Sequence, residues 1–345
     1  MTDTGAIAIR GLDRETLRRL SQRSDARGSL QLAMHVGLLS ATTFLVWASR
    51  GHLWLVAALA LQGIMLSFLF CALHESIHRS AFASRWLNDL VAWICGAALL
   101  LPPEYFRCFH FAHHRFTQDP ARDPELTASP PTTLTSYLWR VSGLPYWRDR
   151  VTVTLRHALR GRVAESFVPA AQSARIVAEA RALWVFYLLV IAVSFYLRRA
   201  DVLLYWVLPA IAGQPFLRLF LLAEHTGCAF VDDMQVNTRT THTNAAVRLL
   251  AWRMSYHAEH HCFPSVPFHA LARLNALIGQ STKVTAPGYL GLHRHWLRQF
   301  QLRRGLPGHR RSSPSSVASP HSVRSASYGA RGPQGQVRAD PPDAS

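Results

Sequence analysis

Five stretches of the chain are apolar for long enough to govern its architecture. The first covers residues 32 to 48, and after the short Ser49-Arg50-Gly51 break a second covers 53 to 73. The second holds 21 residues, which at about 1.5 Å per residue makes about 32 Å of helix, enough to cross a hydrocarbon core of about 30 Å. A third, residues 87 to 101, is shorter and stops at Pro102-Pro103. Two more, 182 to 197 and 202 to 223, are separated only by Arg198-Arg199-Ala200-Asp201. Any one of these could be a buried helix of a large soluble protein. Five in one chain, with two pairs joined by tiny polar breaks, predict an all-α integral membrane protein with four transmembrane helices arranged as two hairpins.

Charge then orients the spans. The loop between the third and fourth apolar runs carries eleven arginines, from Arg107 to Arg181, against one and two at the hairpin tips. By the positive-inside rule that loop, both termini and everything attached to them face the cytoplasm. The chain divides into a polar, arginine-rich N-terminal segment (1 to 30), a membrane domain (31 to 304) and a tail (305 to 345). The tail is Ser, Pro, Gly and Arg with almost no large apolar residue, the composition of a disordered segment.

Composition narrows the class. With 49% hydrophobic residues the chain is no disordered polymer, and five cysteines in 345 residues, none in a CxxC pair, give neither a disulfide framework nor a zinc knuckle. A formal net charge of +17 beside a mean hydropathy of +0.07 requires charge to be segregated from apolar surface. The arginines lie in loops and tail without a basic recognition helix, so the excess is read as membrane-flanking charge and no nucleic-acid partner is expected. Lys283 is the only lysine, an arginine bias that fits GC-rich, bacterial coding.

Histidine placement carries the chemistry. Eight of the 18 histidines fall in three clusters: His74-Glu75-Ser76-Ile77-His78, His110-Phe111-Ala112-His113-His114 and His257-Ala258-Glu259-His260-His261. Histidines at i and i+3 or i+4 share a helix face, so each cluster can aim two imidazoles at one point. Imidazole nitrogen suits iron, zinc, copper and nickel. Ligands of one centre must lie on one side of the membrane. Two spans separate the second and third clusters, so those agree. The run 87 to 101 separates the first and second, and is expected to dip into the membrane or lie along its interface rather than cross.

The order HxxxH, HxxHH, HxxHH, placed after the second span, in the following loop and after the last span, resembles the membrane fatty acid desaturase and hydroxylase superfamily, acyl-lipid type. The likeness covers roughly residues 30 to 300, including HESIHRSAF, HFAHHRFTQDP and YHAEHHCFPSVPFHAL. It implies four transmembrane helices under a cytoplasmic helical cap that carries a histidine-bound, non-heme di-iron centre. Carried over position by position, His74, His78, His110, His113, His114, His257, His260 and His261 become iron ligands. A ninth is expected near the end of the last span, with His225 the leading candidate and His242 and Asn237 as rivals.

The resemblance implies O2-dependent desaturation of a lipid-linked acyl chain, with hydroxylation on the same scaffold as the alternative. No haem segment or G-x-G-x-x-G fingerprint is visible, so electrons are expected from a separate ferredoxin- or cytochrome-type donor with its reductase. Glu75, Glu224, Glu259, Asp119 and Asp123 are candidates for orienting ligand imidazoles. A rival from another class is a membrane zinc protease, because His74 to His78 also spells HExxH. It would leave six histidines without work. Among the rest, His35 and His52 are read as packing or interface residues away from the cytoplasmic face. His157, His269 and His293 are read as solvated or capping, and Arg218 as snorkelling or paired with Glu224.

Overall fold

The computed structural model describes residues 12 to 305, so the tail expected to be disordered lies outside the described residues. Within them the chain is almost entirely helical, and one two-residue parallel pairing, Thr240–Thr241 with Thr285–Ala286, is the only strand structure. Four segments are long and apolar enough to cross a membrane: Asp25–Ala48, Leu55–Ile77, Ala170–Tyr196 and Leu203–His225. They match the four expected spans, and the protein is an all-α membrane protein.

Helix α1 (Arg14–Leu20) opens on Asp13, whose carboxylate accepts the Thr16 backbone N–H at 2.7 Å. The first span, α2 (Asp25–Ala48), begins before the apolar run, capped by Ser24. The second is two collinear pieces, α3 (Leu55–Ser67) and α4 (Leu69–Ile77), and delivers the first histidine cluster at its end. Side chains around the turn between these spans are bare, with Leu53 94% and Trp54 77% exposed. Apolar surface of that kind is stable against lipid, and tryptophan favours the interface.

Helices α5 (Arg85–Leu99) and α6 (Pro103–Phe116) meet at 95°. The bend has a local cause. Leu100 adopts a left-handed conformation (φ 56°), and Leu101 N–H closes onto Gly96 C=O at 2.8 Å before Pro102-Pro103 starts the next helix. The run from 87 to 101 therefore does not continue in a straight line, and α6 brings the second cluster back to the first.

Helices α7 (Leu134–Val141) and α8 (Leu144–Arg160) lead to the third span, α9 (Ala170–Tyr196), which starts twelve residues before its apolar run. The fourth span opens with a π-helical turn, Leu203–Val207, and continues as α10 (Leu208–His225) with Pro215 inside it. α9 lies against α8 and α6, whereas α10 lies along α3. That approach depends on two glycines: a Cβ on Gly213 would sit 1.9 Å from Gly63 O, and one on Gly63 would sit 2.2 Å from Pro209 O. Small residues that let backbones touch are a common way to join helices in lipid. The short helices α11 (Met234–Asn237), α12 (Ala245–Leu250) and α13 (His257–Cys262) follow, then α14 (Phe268–Ile278) and α15 (Tyr289–Gly305).

His35 packs as expected, whereas three other histidines and Arg218 depart from expectation. His35 is 2% exposed, its Nε2 on Met65 C=O at 2.9 Å and its Nδ1 accepting the Trp252 indole N–H at 3.3 Å. It thus ties α2 to the segment that precedes the third cluster. His157 is buried against Glu165 at 3.0 Å, and His293 is buried between the Tyr137 hydroxyl and Leu219 C=O. His269 is half-buried, its Nδ1 facing Arg27 at 3.2 Å. None of these three is a free surface group. Arg218 makes no pair with Glu224; its guanidinium lies over the Tyr146 ring, 4.7 Å from the centroid.

Candidate metal centre

Nine buried or half-buried histidines converge in two adjoining groups. One holds His74, His78, His110, His114 and His260, and the other His113, His225, His257 and His261. In each group one nitrogen per ring lies within 4.8 Å of all the others. The groups abut, with the His114 and His261 rings stacked 4.1 Å apart between centroids. These are the eight cluster histidines plus His225. His242 is exposed and joins neither group. The Asn237 side chain donates to Thr117 C=O and Val231 C=O and accepts from Thr238 Oγ1; only its backbone carbonyl meets His225.

Four elements supply the rings. The end of α4 gives His74 and His78, α6 gives His110, His113 and His114, the last residue of α10 is His225, and α13 gives His257, His260 and His261. Carboxylates pin these elements together. Glu75, fully buried, accepts Ser80 Oγ at 2.9 Å and the Phe268 backbone N–H at 3.1 Å, joining α4 to α14. Glu259 accepts Asn275 Nδ2 at 2.6 Å and Thr240 Oγ1 at 2.5 Å, joining α13 to α14 and the small strand pairing. The other Glu75 oxygen, Oε1, stands 3.9 Å from His74 Nδ1, beyond hydrogen-bond distance, and Glu259 is not turned to a histidine. Asp119 is not either: it accepts the Ala121 N–H and Arg122 Nε in its own turn.

Two other carboxylates do face ligand positions. Asp123 accepts His113 Nδ1–H at 3.0 Å, and Glu224 stands 3.4 Å from His257 Nδ1. Two partners carried no sequence signal. Asn237 C=O faces His225 Nδ1 at 3.2 Å, and Thr117 Oγ1 faces His261 Nδ1 at the same distance.

The donor set fits a cation. Carboxylate and carbonyl oxygens only accept, so the ring protons of His113 and His225 sit on Nδ1 and leave bare lone pairs on Nε2. Those two Nε2 atoms face each other at 3.2 Å, and His225 Nε2 is 3.1 Å from His257 Nε2. Facing lone pairs repel unless a positive charge lies between them. Two nitrogens bound at about 2.1 Å to one ion at roughly right-angled to tetrahedral spacing would lie about 3.0–3.4 Å apart, which matches. In the first group His74 has no hydrogen-bond partner on either ring nitrogen, although it is 3% exposed. Buried polar atoms left unpaired are rare and mark a site meant for something else.

Most of the rings are also held neutral; His113 is the exception, since against the effect of burial Glu125 and Asp123 raise it. Burial, and then the nearby Arg107 guanidinium, push His78 down to about 3. Burial followed by neighbouring imidazoles holds His257, His260 and His261 well below the ordinary histidine range. Neutral imidazole is the form that binds a metal.

Comparison with known proteins settles the family. The family model described as fatty acid desaturase matches residues 47–296, a span that includes all nine histidines. The chain belongs to the fatty acid desaturase family. It is 24% identical over 301 residues to dihydrorhizobitoxine desaturase of Bradyrhizobium elkanii, covering 82% of this chain and 83% of that one. It is also 24% identical over 283 residues to an sn-1 oleoyl-lipid 12-desaturase of a Picosynechococcus species, covering 74% and 76%. A 63-residue segment is 35% identical to a Delta(12) fatty acid desaturase of Mortierella alpina, 18% of this chain and 16% of that one. As a family member the chain is an oxidoreductase, and its histidine groups fit the metal such enzymes use.

Proposed function

We propose that this desaturase introduces a double bond into a lipid-linked fatty acyl chain, consuming O2 and electrons from a separate protein, with two iron ions held by the nine histidines. The observation that carries the reading is the division of nine imidazoles into adjoining groups of five and four. The relatives support the substrate class, since one is named for an oleoyl lipid, and the lipid-facing spans give an acyl chain direct access. When bound, the irons supply O2 activation and hydrogen removal from an unactivated C–H bond. The chain's own residues do the positioning. Asp123 and Asn237 fix the protons of His113 and His225 on Nδ1, the Glu75 and Glu259 bonds lock α4, α13 and α14 in register, and burial keeps water off the rings.

The arginine distribution supports a bacterial inner-membrane location with the site and both termini in the cytoplasm. The zinc-protease reading has less support, because Glu75 is engaged by Ser80 and Phe268, and His74 and His78 join three histidines from other clusters.

Elemental analysis of the detergent-solubilised protein tests the centre, with about two irons per chain expected from the two groups. About one zinc with negligible iron after growth in iron-supplemented medium overturns it. Mass spectrometry of fatty acids from expressing cells tests the outcome: loss of two hydrogens reports desaturation, and gain of one oxygen reports the hydroxylase alternative.

A further inference from the structure

A cleft of about 620 Å³ opens between α1, the first turn of α2 and α14, lined by Arg19, Arg23, Arg27, Arg273 and His269, with Glu15 the only acid. Glu15 is already engaged, its two oxygens held by Arg18 at 3.1 Å and Arg19 at 2.9 Å. Asp25, at the start of α2, is turned away onto Ser84, accepting its backbone N–H at 2.8 Å and its hydroxyl at 2.6 Å. Among the described residues, Arg23, Arg27 and Arg273 meet no carboxylate within 4.0 Å, and all three are exposed. Unneutralised cations in a concave surface focus a positive potential and draw in an acidic partner.

One residue of this cleft is linked to the first histidine group through a neighbour in the chain and one hydrogen bond. His269 follows Phe268 in the chain, the Phe268 N–H is held by Glu75 at 3.1 Å, and Glu75 adjoins His74. We propose that the cleft is the docking site of an acidic one-electron carrier protein, which delivers the electrons of the desaturation proposed above; the inference rests on that reading. The reaction balances as one O2, two electrons and two protons, with two hydrogens leaving adjacent carbons, to give one alkene and two waters. A one-electron carrier must therefore dock twice per turnover, which favours an electrostatic, quickly reversible interface. An anionic lipid headgroup would meet the same charges. The protein is favoured because two of the three walls, α1 and α14, are not spans and because α14 is tied to the element carrying His74 through the Phe268–Glu75 hydrogen bond.

The test uses the full chain, iron-loaded, in phosphatidylcholine nanodiscs, with a plant-type acidic [2Fe–2S] ferredoxin, its reductase and NADPH as the probe. The variant is Arg23→Glu/Arg27→Glu/Arg273→Glu, with the corresponding glutamine triple as a milder form. Ferredoxin affinity is read at low and high salt without turnover, and the KM for ferredoxin with turnover. The expected result is a rise of about tenfold or more in both Kd and KM, with a flattened salt dependence and unchanged iron content. Arg198→Glu/Arg199→Glu, at the turn between the last two spans, should change neither. Wild-type affinity in the triple variants, no binding by the unmutated chain at low salt, or loss of binding to phosphatidylglycerol vesicles with ferredoxin affinity intact overturns the proposal. Because binding is measured without chemistry, a chain that binds ferredoxin at the cleft yet makes no alkene would instead count against the desaturase reading.

Discussion

Asp123→Asn isolates one group of the centre. The Asp123 carboxylate is 5% exposed and accepts three N–H groups: His113 Nδ1 at 3.0 Å, the Gln118 backbone at 2.8 Å and the Glu125 backbone at 2.9 Å. An amide has one accepting oxygen where the carboxylate has two, and its NH2 must face one of these donors. The substitution therefore removes a charge-assisted hydrogen bond and sets donor against donor, a loss of about 1.5–3 kcal/mol. At about 1.4 kcal/mol per decade that is roughly 10- to 100-fold in metal affinity, the usual range for a partner of a ligand histidine.

The loss should fall on one group alone, because His113 belongs with His225, His257 and His261. Dialysis against graded chelator followed by iron analysis should show the variant passing from about two irons to about one at a chelator level the unmutated chain withstands. Asp119→Asn, which touches no histidine, is the control. Retention of both irons with unchanged affinity refutes the reasoning. So does loss of both together with an unaltered melting temperature, since that would mean the groups do not bind independently.

Other consequences follow from packing, charge and composition. Gly213→Ala places a Cβ 1.9 Å from Gly63 O, so α3 and α10 must separate at a cost of at least about 1–3 kcal/mol. A lowered melting temperature in detergent checks this, and an unchanged one contradicts the close helix contact. Glu165 is held at about 2 although burial pushes it up, because the hydrogen bond from His157, and then the charges of His157 and Arg156, outweigh that burial. A depressed carboxylate stabilises the fold above its ordinary value of 4.5 and loses that contribution as pH falls toward about 2. Glu165→Gln should therefore lower stability by about 2–3 kcal/mol at neutral pH, with the difference in melting temperature closing between pH 4.5 and 2; a gap that persists at the acid end contradicts the assignment. Truncation after Arg304 should leave iron content and product formation intact, and their loss would give the tail a role its composition does not suggest.

The spans and the eight cluster histidines could be read from the sequence because each rests on local spacing: unbroken apolar runs in one case, helical repeats of three and four in the other; His225, alone in LAEHTGC, was a candidate only through the family resemblance. The division into five and four could not be read there. In α6, His110 and His114 enter the first group while His113 crosses to the second; in α13, His257 and His261 enter the second while His260 crosses to the first. Successive helical residues are about 100° apart, so the i and i+4 rings of an HxxHH box stay together and the i+3 ring points elsewhere. Each box can thus bridge two centres, but which centre takes the pair depends on the side from which the other helices approach. That side is fixed by the 95° bend after Leu99 and by the Gly63–Gly213 contact that sets α10, and with it His225, against α3. The orienting partners were hidden for the same reason. Asn237 and Thr117 act through a backbone carbonyl and a hydroxyl, groups with no residue-type signature, and they reach His225 and His261 only because the chain after α10 folds back over the end of α6.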